Sequence, residues 1–377
     1  MTRKRPYLDF YEELGDHLVS RVIEDEDEFF RTRSALYLSL GIPTTFISGK
    51  RVLEFGPGSG HNSIFTATLS PAEYVLVDGG REILNAAKHR LSSFVSPHTT
   101  MSYVCTLFEE FTPQEPFDFV FAEACIPMQE NPPSLLRHIS RHVKSGGLLV
   151  ITTISAVSYL SEILRRLGRD ILISPRAKPE DQLKILRPVY KQHIESLTGV
   201  SRSVDDWLLD NIVQPFDVQQ LLTVPQAISV LGDRFEIFGS SPRFVTDWRW
   251  YKMMNAMSKG FNKQALDSYY SRNANLLDYR IENLNHDIEI GILLEDRCSR
   301  IWDVMIDLEN GQEQQWEELW KSLAEVEDVV SRCAPDTLPA LQEAILWLKN
   351  GASESLMPNF EKWWGRGQQY VSFVCNI

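Results

Sequence analysis

A doubly wound α/β sheet, elaborated by helical segments, is the fold class this sequence predicts, on three observations. Between Lys50 and Ser155, five short apolar runs alternate with segments of helical spacing. The first run opens into a turn with glycine at every second position, Gly56, Gly58 and Gly60. Outside that stretch apolar residues recur mostly at steps of three and four, the helical period.

The strand runs are Arg51–Phe55, Tyr74–Asp78, Met101–Leu107, Phe117–Ala124 and Gly147–Thr153, the last preceded by a turn over Lys144–Gly147. Helices are expected between them at Ser63–Leu69, Arg81–Ser92 and Ser134–His142. Short apolar strands separated by helices read as a parallel sheet covered on both faces. Ahead of the sheet, Tyr7, Tyr11, Leu14, Leu18 and Val22 share one helical face. Phe29, Arg33, Leu36, Tyr37 and Leu40 make a second stripe, stopped by Gly41 and Pro43. After Ser155 the pattern predicts helices over Tyr159–Leu167 (stopping at Gly168), Gln182–Leu197 (interrupted at Pro188) and Val204–Ile212. A strand-like run, Arg234–Phe238, precedes the aromatics Phe244, Trp248, Trp250 and Tyr251. Helical stripes then run through Trp316–Val330 and Leu338–Leu348, before a last strand-like run, Tyr370–Val374.

The chain has 377 residues, 43% hydrophobic and 24% charged, a globular balance that excludes wholesale disorder. Of its net charge of −13, Ile281–Val330 carries −11, from 14 Asp/Glu against 3 Lys/Arg. Such a surface repels phosphate backbones, so no nucleic-acid partner is expected. The five cysteines, Cys105, Cys125, Cys298, Cys333 and Cys375, form no C-x-x-C pair, which suits a reducing cytoplasm. No apolar core follows the basic Met1–Arg5, and Gly147–Leu160 is interrupted by Thr and Ser, so neither a signal peptide nor a membrane partner is expected. His138 and His142 stand four apart without a third ligand, so no metal is expected.

The chemistry is carried by Val52–His61. Glycines without Cβ atoms let a ligand lie against the backbone where the strand meets a helix N-terminus. The spacing is G-x-G-x-G with Glu54 two residues ahead, unlike the G-x-G-x-x-G dinucleotide fingerprint. Asp78 closes the second strand 22 residues after Gly56, where an acid accepts hydrogen bonds from a ribose diol, and Gly79 leaves room for the sugar.

Glu54–Gly60, Val75–Asp78, Phe117–Glu123 and Lys144–Ile151, in that order and spacing, resemble the class I S-adenosylmethionine-dependent methyltransferase family. The resemblance covers about Lys50 to Ser155 and implies S-adenosyl-L-methionine as cofactor. It implies that Glu54 faces the methionine moiety, that Gly56, Pro57, Gly58 and Gly60 line the cofactor, that Asp78 holds the ribose hydroxyls, and that Leu107 and Phe108 flank the adenine. The family often has an acid just before that adenine position, where this chain has Cys105 and Thr106. It also implies a Rossmann-like sheet of seven strands whose last is antiparallel, with Phe235–Phe238 sixth and Tyr370–Val374 seventh. The expected organisation is a helical lid segment at 1–49 and a core at 50–254 with a helical insertion over about 156–233. A helical insertion or subdomain follows at 255–364, and 365–377 supplies the final strand.

Methyl transfer from a sulfonium is an in-line displacement that needs a positioned acceptor and excluded water. Glu123, ending the fourth strand, is the first catalytic candidate, as proton acceptor, as anchor for a substrate amine or against the cofactor's amino group; His61 is the second. Tyr7, Tyr11 and His17 could close over the site, Asp247, Trp248, Arg249 and Trp250 could shape a substrate pocket, and Arg366 could reach an anion. Cys125 reads as a small apolar filler rather than a nucleophile. The function expected is methylation of a small molecule in biosynthesis. The alternatives are an aminopropyl-type transferase using a related cofactor, and a methyltransferase-like scaffold with a helical interaction domain that could pair two chains.

Overall fold

The computed structural model describes residues 10, 25–197, 203–216, 220–250, 252, 260–353 and 357–376. The chain divides into two compact units. One contains Ile23–Ile154, Gln220–Tyr269 and Gln368–Ile377; the other contains Ser155–Gln219 and Tyr270–Gly367.

The first unit is built on a seven-stranded sheet. Its strands are β1 (Arg51–Phe55), β2 (Glu73–Asp78), β3 (Thr100–Cys105), β4 (Phe117–Ala122), β5 (Val143–Thr153), β6 (Phe235–Ser241) and β7 (Gln369–Cys375), in the spatial order β3-β2-β1-β4-β5-β7-β6. Strands β1 to β5 pair in parallel, and β7 runs antiparallel to both β5 and β6. This is the Rossmann-like, mostly parallel sheet with an antiparallel last strand. Every residue of β4 is buried, as expected of a strand covered on both faces. Helix α1 (Glu26–Ser39) opens on Asp25, whose carboxylate accepts from the Glu28 amide. The unit continues with α2 (Ser63–Thr68), α3 (Arg81–Leu91) and α4 (Pro132–Ser140), and with α8 (Val224–Leu231) and α9 (Phe261–Arg272) further along the chain.

Two expectations are corrected in this unit. The turn expected over Lys144–Gly147 lies inside β5, whose pairing with β4 shifts between Phe117 and Phe119; Gly146, at φ 72°, provides the bend. The fourth strand stops at Ala122, because Ala124 adopts φ 56° and its amide bonds the Thr152 hydroxyl rather than a ladder carbonyl.

The second unit is helical: α5 (Leu160–Leu172), α6 (Pro179–Glu195), α7 (Val204–Leu208), α10 (Ile288–Glu309), α11 (Gln315–Cys333) and α12 (Leu338–Lys349). Gly168 does not stop α5, and this too corrects the sequence reading. A Cβ there would lie 2.1 Å from the Trp347 ring, so the glycine is kept for close packing inside the helix. Likewise Pro188 sits within a continuous α6, and α7 runs on into a π turn at Leu209–Val213.

Helix α5 buries Arg165, Arg166 and Arg169 completely. Arg166 donates to Glu309 and to the carbonyls of Asn211, Ile212 and Gln214; Arg169 donates to Glu309 and Ile212. Arg165 reaches the carbonyls of Ser161, Phe360 and Trp363 and lies over the Trp364 ring at 3.6 Å. Most of the guanidinium N–H groups thus meet an oxygen, while Arg165 Nε donates to His193 Nδ1 and Arg169 Nε lies in an ion pair with Asp170.

Among the described residues no helix is long and apolar enough to cross a membrane. The shared acid makes a stability test. Glu309→Gln leaves two buried guanidiniums without their common counter-charge and is expected to cost about 3–5 kcal/mol. Urea unfolding followed by circular dichroism reads this; a loss under about 1 kcal/mol would mean that the carbonyls alone carry the cluster.

Candidate active site

Register builds the site. Phe55 pairs with Val77 of β2 and Ala122 of β4, so the residues that follow, Gly56, Asp78 and Glu123, stand side by side at the carboxyl edge of the sheet. This is the edge, between strands whose connections diverge to opposite sides, where open α/β sheets bind ligands.

The turn after β1 places Gly56, Gly58 and Gly60 at φ 66°, 55° and 82°, all in the region that favours glycine. Their reasons differ. A Cβ on Gly56 would meet the Cys125 Cβ at 2.6 Å, and one on Gly60 would meet the Ala87 Cα at 3.0 Å, so these two are packing glycines. A Cβ on Gly58 would meet nothing within 4 Å, so bare backbone faces open space there. Pro57 is buried between them, and its carbonyl accepts from the Gly60 amide at 3.0 Å, closing the turn.

Asp78 is buried, and its carboxylate accepts from the Gly80 amide at 2.9 Å. Burial pushes its carboxyl up, opposed by hydrogen bonds from the backbone of Gly80, Gly58 and Gly79. The Gly58 turn and the β2 acid expected to hold a sugar are therefore in direct contact.

Glu54 points into the core. It accepts from the Ser63 hydroxyl at 2.9 Å and from the Tyr74 hydroxyl, and burial pushes its carboxyl up to about 7. Its oxygens join the glycine turn to α2 and β2.

Glu123 meets two residues that the sequence reading gave no role. Its carboxylate takes a two-pronged ion pair from Arg33 of α1, at 3.0 Å on each arm, and accepts from the Tyr370 hydroxyl of β7. Burial opposes the charge on Arg33, but the Glu123 carboxylate together with the Tyr37 and Tyr370 phenols outweighs that and holds the guanidinium above its ordinary range. A signal was present in the sequence: Arg33 sits within the apolar stripe of its helix, and an arginine facing a core needs a buried acid.

Phe108 packs edge-on against Phe55 at 5.5 Å, and Leu107 is half-buried one residue earlier. The His61 Nδ1 lies 3.0 Å from the Ser59 hydroxyl, and the Ser59 carbonyl accepts from Arg90. Cys125 bonds the Phe55 carbonyl at 3.3 Å; burial and then the charges of Asp78, Glu54 and Glu123 push its thiol well up, which suits a filler. His138 and His142 lie 3.3 Å apart, with the Phe111 carbonyl 3.1 Å from His138; burial lowers His142 to about 4. Among the described residues no group of three or more His, Cys, Asp or Glu is arranged to hold a metal ion.

Other sequence candidates are engaged elsewhere. Arg366 lies in the helical unit and donates to the Asn275 carbonyl at 2.8 Å. Asp247 and Arg249 pair with each other at 2.7 Å, while Trp248 and Trp250 are exposed. Tyr7, Tyr11, His17 and Tyr251 lie outside the described residues.

Residues 29–201 match a family model described as a methyltransferase domain. The chain is 25% identical over 144 residues to malonyl-[acyl-carrier protein] O-methyltransferase 2 of Ilyobacter polytropus, covering 37% of this chain and 54% of the relative. It is 31% identical over 109 residues to a ubiquinone biosynthesis O-methyltransferase of Bradyrhizobium sp., covering 29% and 42%. The chain thus spans about half the length of the curated relatives it matches. A solved structure similar to it is the N-methyltransferase NodS of Bradyrhizobium japonicum WM9 in complex with S-adenosyl-L-homocysteine, at 19% identity, 40% and 74% coverage and a TM-score of 0.33. The matched residues carry the glycine turn and strands β1 to β5, and the full seven-stranded order, β3-β2-β1-β4-β5-β7-β6, is the Rossmann-like arrangement with its last strand inserted beside β5.

Proposed function

We propose that this chain is an S-adenosylmethionine-dependent methyltransferase that acts on a small-molecule acceptor in biosynthesis. The observation that carries the reading is the pairing of an open backbone turn at Gly58 with the buried carboxylate of Asp78. The cradle fits the group: bare backbone leaves room for an adenosyl moiety, and a carboxylate beside it suits a ribose diol better than a phosphate. When bound, S-adenosylmethionine supplies an electrophilic methyl group.

The chain's own residues would then act as follows. Asp78 accepts the ribose hydroxyls, with Gly79 leaving space beside it. Gly56, Pro57, Gly58 and Gly60 form the wall, and Leu107 and Phe108 flank the base. Glu54, tied to Ser63 and Tyr74, positions the turn. Glu123, the first catalytic candidate, stands at this edge as a carboxylate oriented by Arg33 and Tyr370, with its charge offset by the guanidinium. His61 stands beside the turn as the second candidate for handling a proton. The helical unit interrupts the sheet unit twice in sequence, and added segments of this kind carry substrate choice in shared folds.

Calorimetry with S-adenosylhomocysteine tests this reading. The wild type is expected to bind, and Asp78→Ala to bind about 10–100-fold more weakly, the worth of one or two charged hydrogen bonds. Absence of wild-type binding at millimolar ligand would overturn the proposal, and spermidine formation from putrescine would favour aminopropyl transfer instead.

Glu54 gives a pH prediction. Its folded value of about 7 lies above the unfolded 4.5, so its stabilising contribution is complete below pH 4.5 and is lost as pH rises through 7. Wild type is therefore expected to lose stability relative to Glu54→Gln between pH 5 and pH 8, by on the order of 1–3 kcal/mol. Parallel denaturant titrations across that range measure it, and identical slopes for the two proteins would refute it.

A further inference from the structure

Strand β6 leaves the sheet at Ser241, opposite Tyr370, whose hydroxyl bonds Glu123. The segment that follows therefore starts from the edge of the sheet that holds the candidate site. Its first anchor is Phe244, buried, with its amide on the Ser240 hydroxyl and its ring 5.5 Å from Tyr269. A second anchor is the Asp247–Arg249 pair, whose guanidinium lies over Phe261 of α9. Between and beyond these fixed points the chain presents two large indoles to water. Trp248 is 92% exposed and Trp250 is 60% exposed, on either side of the tethered Arg249. Lys252 is exposed with its ammonium 4.9 Å from the Trp250 ring centre, and Arg243 is exposed as well.

Two features of this patch decide what it fits. The first is composition. Indoles carry an apolar body and an N–H, and they settle at the headgroup level of bilayers, where lysine and arginine reach the phosphates. Protein–protein interface cores, by contrast, are depleted in lysine. The second is charge. Of the five Lys/Arg in residues 243–263, Arg249 pairs with Asp247 and Lys263 with Asp267, and Lys259 lies outside the described residues; Arg243 and Lys252 are exposed beside the indoles, in a chain of net −13 whose acids concentrate in Ile281–Val330.

We propose that Trp248 and Trp250, with Arg243 and Lys252, dock this chain onto an anionic lipid surface. The docking is peripheral, since no described helix spans a bilayer, and it replaces the expectation of no membrane partner. It stands without the methyl-transfer reading. If that reading also holds, docking brings the carboxyl edge of the sheet toward the bilayer, and the acceptor class it selects is an amphiphile held at the membrane surface.

Flotation of the full chain with vesicles tests this, using phosphatidylcholine alone or with about one third phosphatidylglycerol. The wild type is expected to float with the anionic vesicles and to be released by high salt. Trp248→Ala/Trp250→Ala is expected to lose at least about tenfold in partitioning, and Lys252→Glu about fivefold. Calorimetry with S-adenosylhomocysteine on the same preparations reports separately on the cofactor reading. Failure of the wild type to float, equal flotation with neutral vesicles, or a double variant that floats as well as wild type overturns the proposal. So does a dimer, seen by light scattering without lipid, that the double variant abolishes, for then a second copy occupies the patch.

Discussion

Three carboxylates, Glu54, Asp78 and Glu123, are taken out of water at the ends of adjacent strands, and the sheet unit is organised around keeping each of them satisfied. Neighbouring strands lie only about 5 Å apart, so their charges are felt by one another. Each acid has a different solution. Glu54 is bonded by neutral hydroxyls and held near neutrality by burial. Asp78 is bonded by backbone amides of the glycine segments on both sides. Glu123 has a full counter-charge in Arg33 and a phenol in Tyr370. One residue chemistry thus meets three environments: a core acid pushed up by burial, an amide-cradled acceptor and an anion locked by a guanidinium. The arrangement also ties α1 and β7, distant in sequence, to the end of β4.

The helical unit meets the converse problem with the same physics. Three arginines on one helix are buried together, and the answer is carbonyl oxygens supplemented by acids: Glu309, shared by Arg166 and Arg169, Asp170 against Arg169, and Glu162 near Arg165. Exposed helical faces leave the acidic residues of α10 and α11 to water or to surface pairs such as Arg300 with Glu325. Most of the negative charge of this part of the chain is therefore a property of its outside, while inside it the three arginines are matched by the buried acids Glu162, Asp170 and Glu309.

What could be read from the sequence was whatever depends on local pattern. The alternation of strands and helices, the glycine turn and the acid ending β2 each announce themselves within a few residues, and the sheet order followed from their resemblance to a known family. What could not be read was set by partners far away in the chain. Gly168 has the look of a helix stop until Trp347 is placed against it. Pro188 looks like a break, yet α6 continues through it. Glu123 was legible as a residue at the right edge, but Arg33 lies 90 positions before it and Tyr370 lies 247 after, distances over which periodicity carries no information. The buried arginines of α5 were hidden for the same reason, since a cation in an amphipathic helix is usually solvated.

The connectivity of the sheet has a further consequence for how the molecule comes into being. β7 lies between β5 and β6 and bonds to both, yet residues 242–368 separate it from β6. During synthesis β5 and β6 are both complete while the strand that joins them has still to be made. Two rows of backbone amides and carbonyls must wait, unpaired, through the production of the intervening helices. A nascent chain with such a gap is a client for protection against strand addition by its neighbours, and its slowest native contact is a loop closure across more than a hundred residues.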